Sequence, residues 1–586
     1  MQPIRSFVSF TATDSDFSEL WGSTERKYII PRYQREYSWG VDNLATFWDD
    51  IHSEDEFFFG SVVLKEAESR GARIEIIDGQ QRMLTMTILY AAIRDIIRGN
   101  GDSEWASGIH SQFIIQRGGR RREGDFIIRP TEGLREYFER SIQSQNPDFR
   151  NPETKEHKRV RNNYNWLKKE IEKRLIHESL DENLRVVEKL IERTNAMQII
   201  RIVVTDSYDA YRIFETVNAT GVDLSVADLL KNMVFRHNMP EENSGEDIAQ
   251  KKWTEMKENL AQINVEVARF VRYHWISSRE TVTMGKLYKS VKGATSERGW
   301  RQLLEDLTAD SKLLNSLMTG NIPNPSSLSS IGEINSKLRA INEMGFSQCY
   351  VLLLSILRNR ERLNFSWEEF RDLISEIENF NFLYHTICGR PANKVETFYS
   401  RKAIAIQSVG NDEDSQNRFR SNINSIYNEL SNSKPSKIEF IEDFKSKTRY
   451  TNSTKKKNLI RYILVRLEER EYPAQVRERP IDESISIEHI LPQKPEEFWD
   501  LTVDDVEPYV HLIGNLVLVG IGFNSSARNY DLERKILALR ETAIQTTSDL
   551  LTQIEQNPPL NWTKVEIEAR TEKLAEISYD DLWSNR

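Results

Sequence analysis

The spacing of hydrophobic residues along the first third of the chain predicts strands that alternate with helices. Short β-branched and aromatic runs predict strands at 57–64, 73–77 and 197–204. Apolar residues at helical spacing predict helices over 80–98, over 208–217 and from residue 225 onward. This alternation indicates an α/β domain, which we place at residues 1–238.

The rest of the chain shows two further patterns. Residues 239–447 have helical spacing almost throughout, which predicts an all-α connector domain. Residues 448–586 then contain apolar runs at 485–490 and 516–519 and an amphipathic stretch at 531–541, in the order strand, strand, helix. The expected fold class is therefore a mostly helical α+β protein of three domains.

Composition and charge exclude several classes of protein. Hydrophobic residues make up 39% and charged residues 29% of the chain, as in ordinary globular proteins. Cys349 and Cys388 are far apart, so neither a disulfide framework nor a cysteine zinc site is expected. The net charge of −10 argues against general coating of nucleic acid but not against a local basic groove.

The same features bear on where the protein works. The longest nearly apolar run, 512–523, is too short to span a bilayer, and the first residues lack an apolar segment of signal-peptide length. We therefore expect a cytoplasmic protein with no membrane partner. The oligomeric state stays open, and a homo-oligomer is one alternative.

The C-terminal strand–strand–helix segment carries a group of residues suited to phosphodiester hydrolysis. Glu488 and His489 end the first strand, and Asn515 and Asn524 follow before the helix. Carboxylate and amide oxygens of Glu488 and Asn524 can bind a hard divalent cation, while a histidine can activate water near neutral pH. Neighbouring residues on a strand face opposite ways, so the strand must end or bend there, and Pro492 supplies a reason. This is the layout of an HNH (ββα-metal) nuclease.

Structural roles are the alternative for each of these residues. His489 can be a core histidine with satisfied hydrogen bonds, and the asparagines can be turn residues. Asn515 can fix the loop or the orientation of His489. His511 suits a rim or substrate contact, although a structural role is the simpler interpretation. Arg534 and Lys535 can contact phosphate or lie on a solvated helix face.

Two N-terminal motifs indicate an anion site. They are the runs 30–39 (IPRYQREYSW) and 78–82 (DGQQR), and the second lies where a predicted strand turns into a helix. Free backbone amides at a helix start, a glycine and an arginine suit a phosphate, and Tyr33, Tyr37 and Trp39 are available to stack on a base. A tight turn with a surface arginine is the alternative. The candidate nucleotide-binding residues are Gln34, Arg35, Asp78, Gly79, Gln80, Gln81 and Arg82.

Two further features of the sequence bear on nucleotide binding: a third polar cluster and the lack of a P-loop motif. Residues 214–224 (FETVNATGVDL) end a predicted helix in a glycine turn, and they either line the same pocket or form a structural cap. The sequence contains no GxxxxGK[ST] motif, so any nucleotide binding is not of the P-loop type.

At these residues the chain resembles the GmrSD-like type IV restriction enzymes of bacterial anti-phage defence. The motifs at 30–39 and 78–82, Phe59-Gly60-Ser61 and Lys231-Asn232 are similar to their ParB/sulfiredoxin-like domain. Residues 488–493 (EHILPQ), Gly514-Asn515-Leu516, Asn524 and Lys535 are similar to their HNH domain, although the gap between His489 and Asn515 is long. The helical middle shows no motif that we can place.

The resemblance implies a nucleotide-regulated DNA endonuclease. An N-terminal domain would bind and hydrolyse a nucleoside triphosphate (GTP, UTP, CTP or ATP) and control a C-terminal domain that cuts or nicks foreign DNA with Mg²⁺ or Mn²⁺. Family members respond to glucosylated or hydroxymethylated cytosine, and related proteins respond to phosphorothioate.

Our leading hypothesis assigns roles within this scheme and leaves two alternatives open. His489 is the general base, Glu488 and Asn524 hold the metal ion, Asn515 orients the site and Lys535 belongs to the catalytic group. The basic segments 117–122 and 455–457 are candidate DNA contacts, although a solvated loop is the simpler interpretation of each. The alternatives are a nucleotide-switched DNA-binding sensor and a nuclease that acts on RNA.

Overall fold

The computed structural model describes most of the chain. The described residues are 10–22, 27–53, 57–66, 73–115, 126–176, 179–204, 226–238, 247–296, 299–323, 329–410, 412, 414–473, 485–495, 499–520, 530–540, 542–557 and 560–583. Two compact units are present, of which unit 1 comprises residues 1–251 and 295–301 and unit 2 comprises 252–294 and 302–586. The division into three domains, at 238 and 447, stays a prediction.

A mixed six-stranded sheet organises the described part of unit 1. Its strands are β1 (Phe10–Asp16), β2 (Lys27–Ile29), β3 (Phe58–Glu66), β4 (Arg73–Asp78), β5 (Ile128–Arg129) and β6 (Gln198–Val204). The order across the sheet is β1-β6-β3-β4-β2-β5. The pairs β1/β6 and β3/β4 are antiparallel, whereas β3/β6, β2/β4 and β2/β5 are parallel.

Eight helices accompany this sheet in the described part of unit 1. They are α1 (Phe17–Gly22), α2 (Val41–His52), α3 (Gln80–Gly99), α4 (Ser103–Phe113), α5 (Glu132–Phe138), α6 (Lys155–Glu172), α7 (Leu180–Asn195) and α8 (Val226–His237). Helix α3 is the centre of the core, because almost every residue from Gln80 to Ile97 is buried. Because α3 is buried on nearly every side, the residues at its start are enclosed by the core.

Unit 2 begins as a bundle of helices. In chain order the helices are α9 (Ile248–Gln262), which starts in unit 1, α10 (Val267–Ile276), α11 (Met284–Ala294), α12 (Gly299–Thr319), α13 (Ser329–Glu343), α14 (Tyr350–Asn359), α15 (Trp367–Asn381), α16 (Ala392–Gln407), α17 (Ser415–Asn432) and α18 (Lys437–Lys447). Helix α15 continues as a π-helical turn, Phe382–Ile387. Ser366 caps α15 reciprocally with Glu369, as a capping box does.

The C-terminal part of unit 2 carries the candidate nuclease residues. Its elements are α19 (Thr454–Glu471), β7 (Ile485–His489), α20 (Val503–Val510), β8 (Leu516–Gly520), α21 (Leu532–Leu539), α22 (Gln545–Glu555) and α23 (Lys564–Ile577). Strands β7 and β8 form an antiparallel pair in which Glu488 is opposite Val517 and His489 is opposite Leu516. A separate hydrophobic core, which includes Ile490, Val517, Ile536 and Ile567, holds these elements together.

The structure confirms the expected mostly helical α+β class; near the C-terminus it has the two predicted strands and the helix after them, with the additional helix α20 between the strands. The helix predicted at 208–217 and the cluster at 214–224 lie outside the described residues. Strands β1, β2 and β5 had no clear signal in the sequence, because two are very short and β1 contains three acidic or small residues among its last four. No helix in the described part of the chain combines the length and the apolar character that a membrane crossing requires.

Candidate functional site

The C-terminal candidate site forms where β7 ends. Both Glu488 and His489 have restricted exposure: the Glu488 side chain is 12% exposed and His489 is 6% exposed. The chain turns at once after His489, and the N–H of Ile490 donates to the carbonyl of Asn515 at 3.0 Å. This turn ends the strand as the sequence predicts, so the two neighbouring side chains lie at one strand end.

Lys535 of α21 is turned into this strand end. Its ammonium lies 2.9 Å from Oε1 of Glu488 and also donates to the carbonyl oxygen of His489. The Lys535 side chain is only 1% exposed, and burial lowers its pKa while Glu488 opposes that shift. Lys535 therefore lies neither on a solvated helix face nor against solvent-borne phosphate, because its charge neutralises Glu488 inside the fold.

The imidazole of His489 sits among aromatic rings. The ring of Tyr450 meets it edge-on with centroids 4.8 Å apart, and the ring of His511 does so at 5.5 Å. Burial, together with His511 and Lys535, lowers the pKa of His489 to about 3. The ring is therefore neutral at physiological pH, which is the protonation state that can accept a proton.

The two ring nitrogens of His489 have different surroundings. Nδ1 lies 3.3 Å from the side-chain amide nitrogen of Gln493. Nε2 is buried and finds no hydrogen-bond partner among the described residues. The orientation of the Gln493 amide selects the tautomer of His489. If the amide oxygen faces Nδ1, the proton lies on Nδ1 and Nε2 has a free lone pair. If the amide nitrogen faces Nδ1, the proton lies on Nε2.

Asn515 is completely buried and uses its whole amide to fix the turn after β7. Its Oδ1 accepts from the N–H of Leu491 at 2.8 Å and from Nε1 of Trp562 at 2.9 Å. Its Nδ2 donates to the carbonyls of Leu491 and Val510, each at 2.8 Å. Asn515 was expected to fix either the loop or the orientation of His489. These four hydrogen bonds support the first interpretation, in which Asn515 fixes the loop that follows His489.

Helix α23 presses against the same turn and has no counterpart in the sequence prediction of the site. A Cβ atom on Gly514 would lie 2.1 Å from the carbonyl oxygen of Ile567, so only glycine fits there. Arg570 donates to the carbonyls of Gly514 at 2.6 Å and Leu516 at 2.9 Å. The sequence feature that could have indicated this contact is Trp562, just before α23, because a buried tryptophan needs a hydrogen-bond acceptor for its indole N–H.

Asn524, the second candidate metal ligand, lies outside the described residues. Among the described residues the donor of the predicted metal site is the Glu488 carboxylate, an oxygen ligand of the kind that Mg²⁺ and Mn²⁺ prefer. The ammonium of Lys535 already pairs with this carboxylate inside the fold. The described part of the site therefore offers one carboxylate, and a divalent ion at this site stays a prediction.

A cavity of about 510 Å³ opens beside the His489 ring. Tyr450, His511 and Gln493, which are the three neighbours of that ring named above, all line it. The cavity also reaches Lys456, in the first turn of α19. His489 itself does not line this cavity, which is separated from it by these neighbouring side chains.

The N-terminal candidate residues converge as the sequence predicts, but several of them face inward. Gln34, Gln80 and Gln81 are each at least 94% buried. The Gln80 amide donates to the carbonyl of Arg35 at 3.1 Å. Gln81 donates to the carbonyl of Glu36 at 3.1 Å and accepts from the N–H of Ser38 at 2.8 Å. The glutamines thus attach the segment 35–38 to the start of α3.

Arg82 and two glycines complete the junction between β3, β4 and α3. Gly79 is the N-cap of α3 with φ of 92°, a left-handed conformation that suits glycine. The Arg82 guanidinium donates to the carbonyl of Ser61 at 2.7 Å. A Cβ atom on Gly60, where φ is 101°, would lie 3.0 Å from that guanidinium. Arg82 therefore lies flat over a glycine in β3.

Further contacts tie the first motif to β4 and α8. The amide of Gln34 donates to the carbonyl of Ile77 at 2.6 Å, one residue before Asp78 at the end of β4. The ammonium of Lys231 in α8 donates to the carbonyl of Gln34 at 2.7 Å. Arg35 and Asp78 are half-buried at this junction. Residues from four separate elements therefore meet at one place.

One polar atom at this junction and one in α8 are buried without a hydrogen-bond partner in the described part of the chain. They are Oε1 of Gln80 and Oδ1 of Asn232. Such atoms are costly unless something else satisfies them, so they fit a polar ligand. Tyr37, in contrast, is 1% exposed and bonds Thr85 at 2.8 Å, which removes it as a surface on which a base can stack.

Comparison with known proteins assigns both ends of the chain to one family. The model of the GmrSD restriction endonuclease N-terminal domain matches residues 17–235, and that of the C-terminal domain of GmrSD restriction endonucleases matches residues 434–577. The first contains the junction around α3 and the second contains Glu488, His489, Asn515 and Lys535. No curated protein is significantly similar to the chain. The two matches together span more than half of the sequence, and the chain belongs to the GmrSD restriction endonuclease family.

Proposed function

We propose that this protein is a metal-dependent DNA endonuclease of the type IV restriction class, with cutting regulated by a nucleoside triphosphate bound in unit 1. Family membership supports a restriction nuclease that acts in phage defence. The observation that carries the proposal is the strand end at which Glu488, His489 and Lys535 meet, with the buried Nε2 of His489 lacking a partner among the described residues.

His489 is the general base in this proposal. It is neutral at physiological pH because burial and neighbouring positive charge lower its pKa. The proposal requires the Gln493 amide to be rotated so that its oxygen, rather than its nitrogen, faces Nδ1–H; Nε2 then accepts a proton from the water that attacks the phosphate. Asn515 keeps the turn after β7 in place, so it acts by positioning His489 rather than by contact with substrate.

The Glu488 carboxylate and the Asn524 amide would hold a Mg²⁺ or Mn²⁺ ion. When bound, the ion polarises the scissile phosphate and stabilises the charge that develops on it. Lys535 balances the charge of Glu488 when no ion is bound, and it also grips the carbonyl of His489. Lys535 therefore fixes the orientation of both neighbours.

The nucleotide site of the proposal is the junction at the start of α3. Arg82 and Arg35 supply positive charge for phosphates, and the amides of Gln80 and Asn232 have unpartnered oxygens that can accept from a ligand. Gln34, Gln81 and Lys231 hold the backbone of 34–38 and so shape the site. The choice among GTP, UTP, CTP and ATP is left to experiment.

The test compares the wild-type protein with His489→Ala on matched modified and unmodified DNA. Each is assayed with Mg²⁺ or Mn²⁺, with and without each nucleoside triphosphate. Cutting that requires the metal and disappears in His489→Ala supports the nuclease. Retained cutting in that variant removes the assignment of His489.

A separate measurement tests the nucleotide half of the proposal. Arg82→Ala is expected to lose nucleotide turnover, with Arg193→Ala, a variant of an arginine in α7, as the matched control. Unchanged turnover in Arg82→Ala, with the fold intact, contradicts the assignment of this junction.

A second candidate function is a nucleotide-switched DNA sensor that binds without cutting. The buried ion pair between Lys535 and Glu488 favours it, because an ammonium on the carboxylate competes with a metal ion. DNA binding without cutting under every condition of the first assay would establish this alternative.

A further inference from the structure

The cavity beside His489 has a polar lining. Every residue that lines it carries a polar side-chain atom, and six of them matter here: Arg449, Tyr450, Asn452, Lys456, Gln493 and His511. We call this cavity the Lys456 pocket. A lining of this kind suits a charged or strongly hydrogen-bonding ligand rather than an apolar one.

Positive charge dominates the Lys456 pocket. Lys456 lies in the first turn of α19 between Lys455 and Lys457, and that turn contains no acidic residue. Burial, with smaller effects from the charges of Lys447 and Lys455, lowers the pKa of Lys456, and its ammonium donates to the carbonyl of Lys447 at the edge of the pocket. Glu507 is the carboxylate among the described residues of the lining, and Arg449 lies 3.6 Å from it and offsets it.

The start of α19 adds to this positive field. The N-terminus of a helix carries the positive end of the helix dipole and backbone N–H groups that have no partner within the helix. Ser453 is the N-cap but makes no side-chain capping bond. Three lysines near the positive end of a helix dipole repel one another and the dipole. A bound anion would reduce this repulsion.

The pocket adjoins the candidate base. Tyr450 and His511 line it while their rings contact the ring of His489 at 4.8 and 5.5 Å between centroids. His489 is 94% buried, and its Nε2 has no partner among the described residues. A DNA strand carries a phosphate about every 3.4 Å along the helix axis, so an anion here lies within reach of the strand that is cut.

We propose that the Lys456 pocket binds a backbone phosphate of the DNA strand next to the phosphate that is cut, with Lys456 and Asn452 as its side-chain contacts. This rests on the proposed nuclease function and deepens it. The contact sets the register of the strand so that the scissile phosphate meets His489. Because a phosphate contact reads no base, it serves equally for DNA with modified and with unmodified bases.

The test measures DNA binding rather than cutting. Fluorescence anisotropy records the affinity of a labelled duplex for the full chain carrying His489→Ala, over a range of salt concentrations without divalent metal. Lys456→Gln and Lys456→Arg are then added to that background. Lys394→Gln is the matched control, since Lys394 is an exposed lysine of α16 outside the pocket.

Lys456→Gln is expected to weaken binding several-fold and to reduce the slope of log K against log salt by about 0.9, the value for one phosphate contact. Lys456→Arg restores the slope, and Lys394→Gln leaves it unchanged. An unchanged slope in Lys456→Gln, with the melting temperature preserved, overturns the pocket assignment. Failure of the nuclease proposal is seen separately, as cutting that survives His489→Ala, and in that event the salt slope still decides whether the pocket binds phosphate.

Discussion

Replacement of Asn515 by alanine is expected to destabilise unit 2 strongly, and the structure supplies the magnitude. The substitution removes all four hydrogen bonds of a side chain with 0% exposure. It leaves the N–H and C=O of Leu491, the indole N–H of Trp562 and the carbonyl of Val510 without that partner. Each buried group left unsatisfied costs about 1–3 kcal/mol, and partial relaxation brings the total to about 4 kcal/mol.

Scanning calorimetry converts this free energy into a shift of the melting temperature. Unit 2 has about 330 residues, so its unfolding entropy is about 0.7 kcal/mol/K at roughly 2.1 cal/mol/K per residue. The transition of unit 2 should therefore fall by about 6 °C. Asn515→Asp should fall at least as far, because an oxygen then replaces the donor that faces two carbonyls.

An exposed asparagine in the same unit provides the control for this substitution. Asn557→Ala removes an exposed asparagine, just beyond the end of α22, that donates to the carbonyl of Gln553 at 2.8 Å, and it should shift the transition by less than about 1 °C. If Asn515→Ala melts like the wild-type protein and yet cuts no DNA, Asn515 acts in the chemistry and the positioning role is wrong.

Three further predictions follow from buried contacts. Lys535→Met should leave Glu488 unpaired and lower the free energy of unfolding by about 3 kcal/mol in the presence of a chelator. Added Mn²⁺ should then stabilise the Lys535→Met protein more than it stabilises the wild-type protein. Equal stabilisation of the two proteins in a thermal titration contradicts a metal at Glu488. Gly514→Ala should lower stability by about 3 kcal/mol or more, because its Cβ would lie 2.1 Å from a carbonyl oxygen of α23, and an unchanged melting temperature would refute that close approach. Burial raises the pKa of Glu376 from 4.5 to about 7, so its contribution is present below pH 4.5 and is lost as the pH rises through 7. Glu376→Gln should therefore stabilise the protein by about 2–3 kcal/mol at pH 8 and hardly at all at pH 4.5, and a gain independent of pH in denaturant titrations would exclude this cause.

The sequence predicted those parts of the fold that have a local signal. The strand before Asp78 and the helix that starts at Gln80 have strong periodicity and a glycine between them, and the structure has both. The strand that ends at His489 was also predicted, because Pro492 stops it. In each case the residues that decide the outcome are neighbours in the chain.

The contacts that complete the candidate site join residues that are far apart in sequence. Lys535 reaches Glu488 across 47 residues, and Trp562 reaches Asn515 across 47. Tyr450 packs on His489 from a segment that precedes β7 by more than thirty residues. No periodicity or motif encodes such pairs, because tertiary packing of α21 and α23 against the strands brings them together.

The inward orientation of the glutamines in the 78–82 motif was missed for a related reason. A glutamine at a helix start is expected to face solvent, but the segment 35–38 covers Gln80 and Gln81 and supplies backbone partners. Their burial depends on where a distant loop passes, which the local sequence does not specify.

The most direct test of the account is single-turnover nicking of supercoiled DNA by the wild-type protein, His489→Ala and the stability control Asn557→Ala. The DNA is prepared with and without modified cytosine, and the reactions contain Mg²⁺ and the nucleoside triphosphates. The account predicts metal-dependent nicking by the wild-type protein and Asn557→Ala, and none above background by a folded His489→Ala. Nicking by His489→Ala at the wild-type rate would contradict the central claim that the strand end at Glu488 and His489 is the nuclease site.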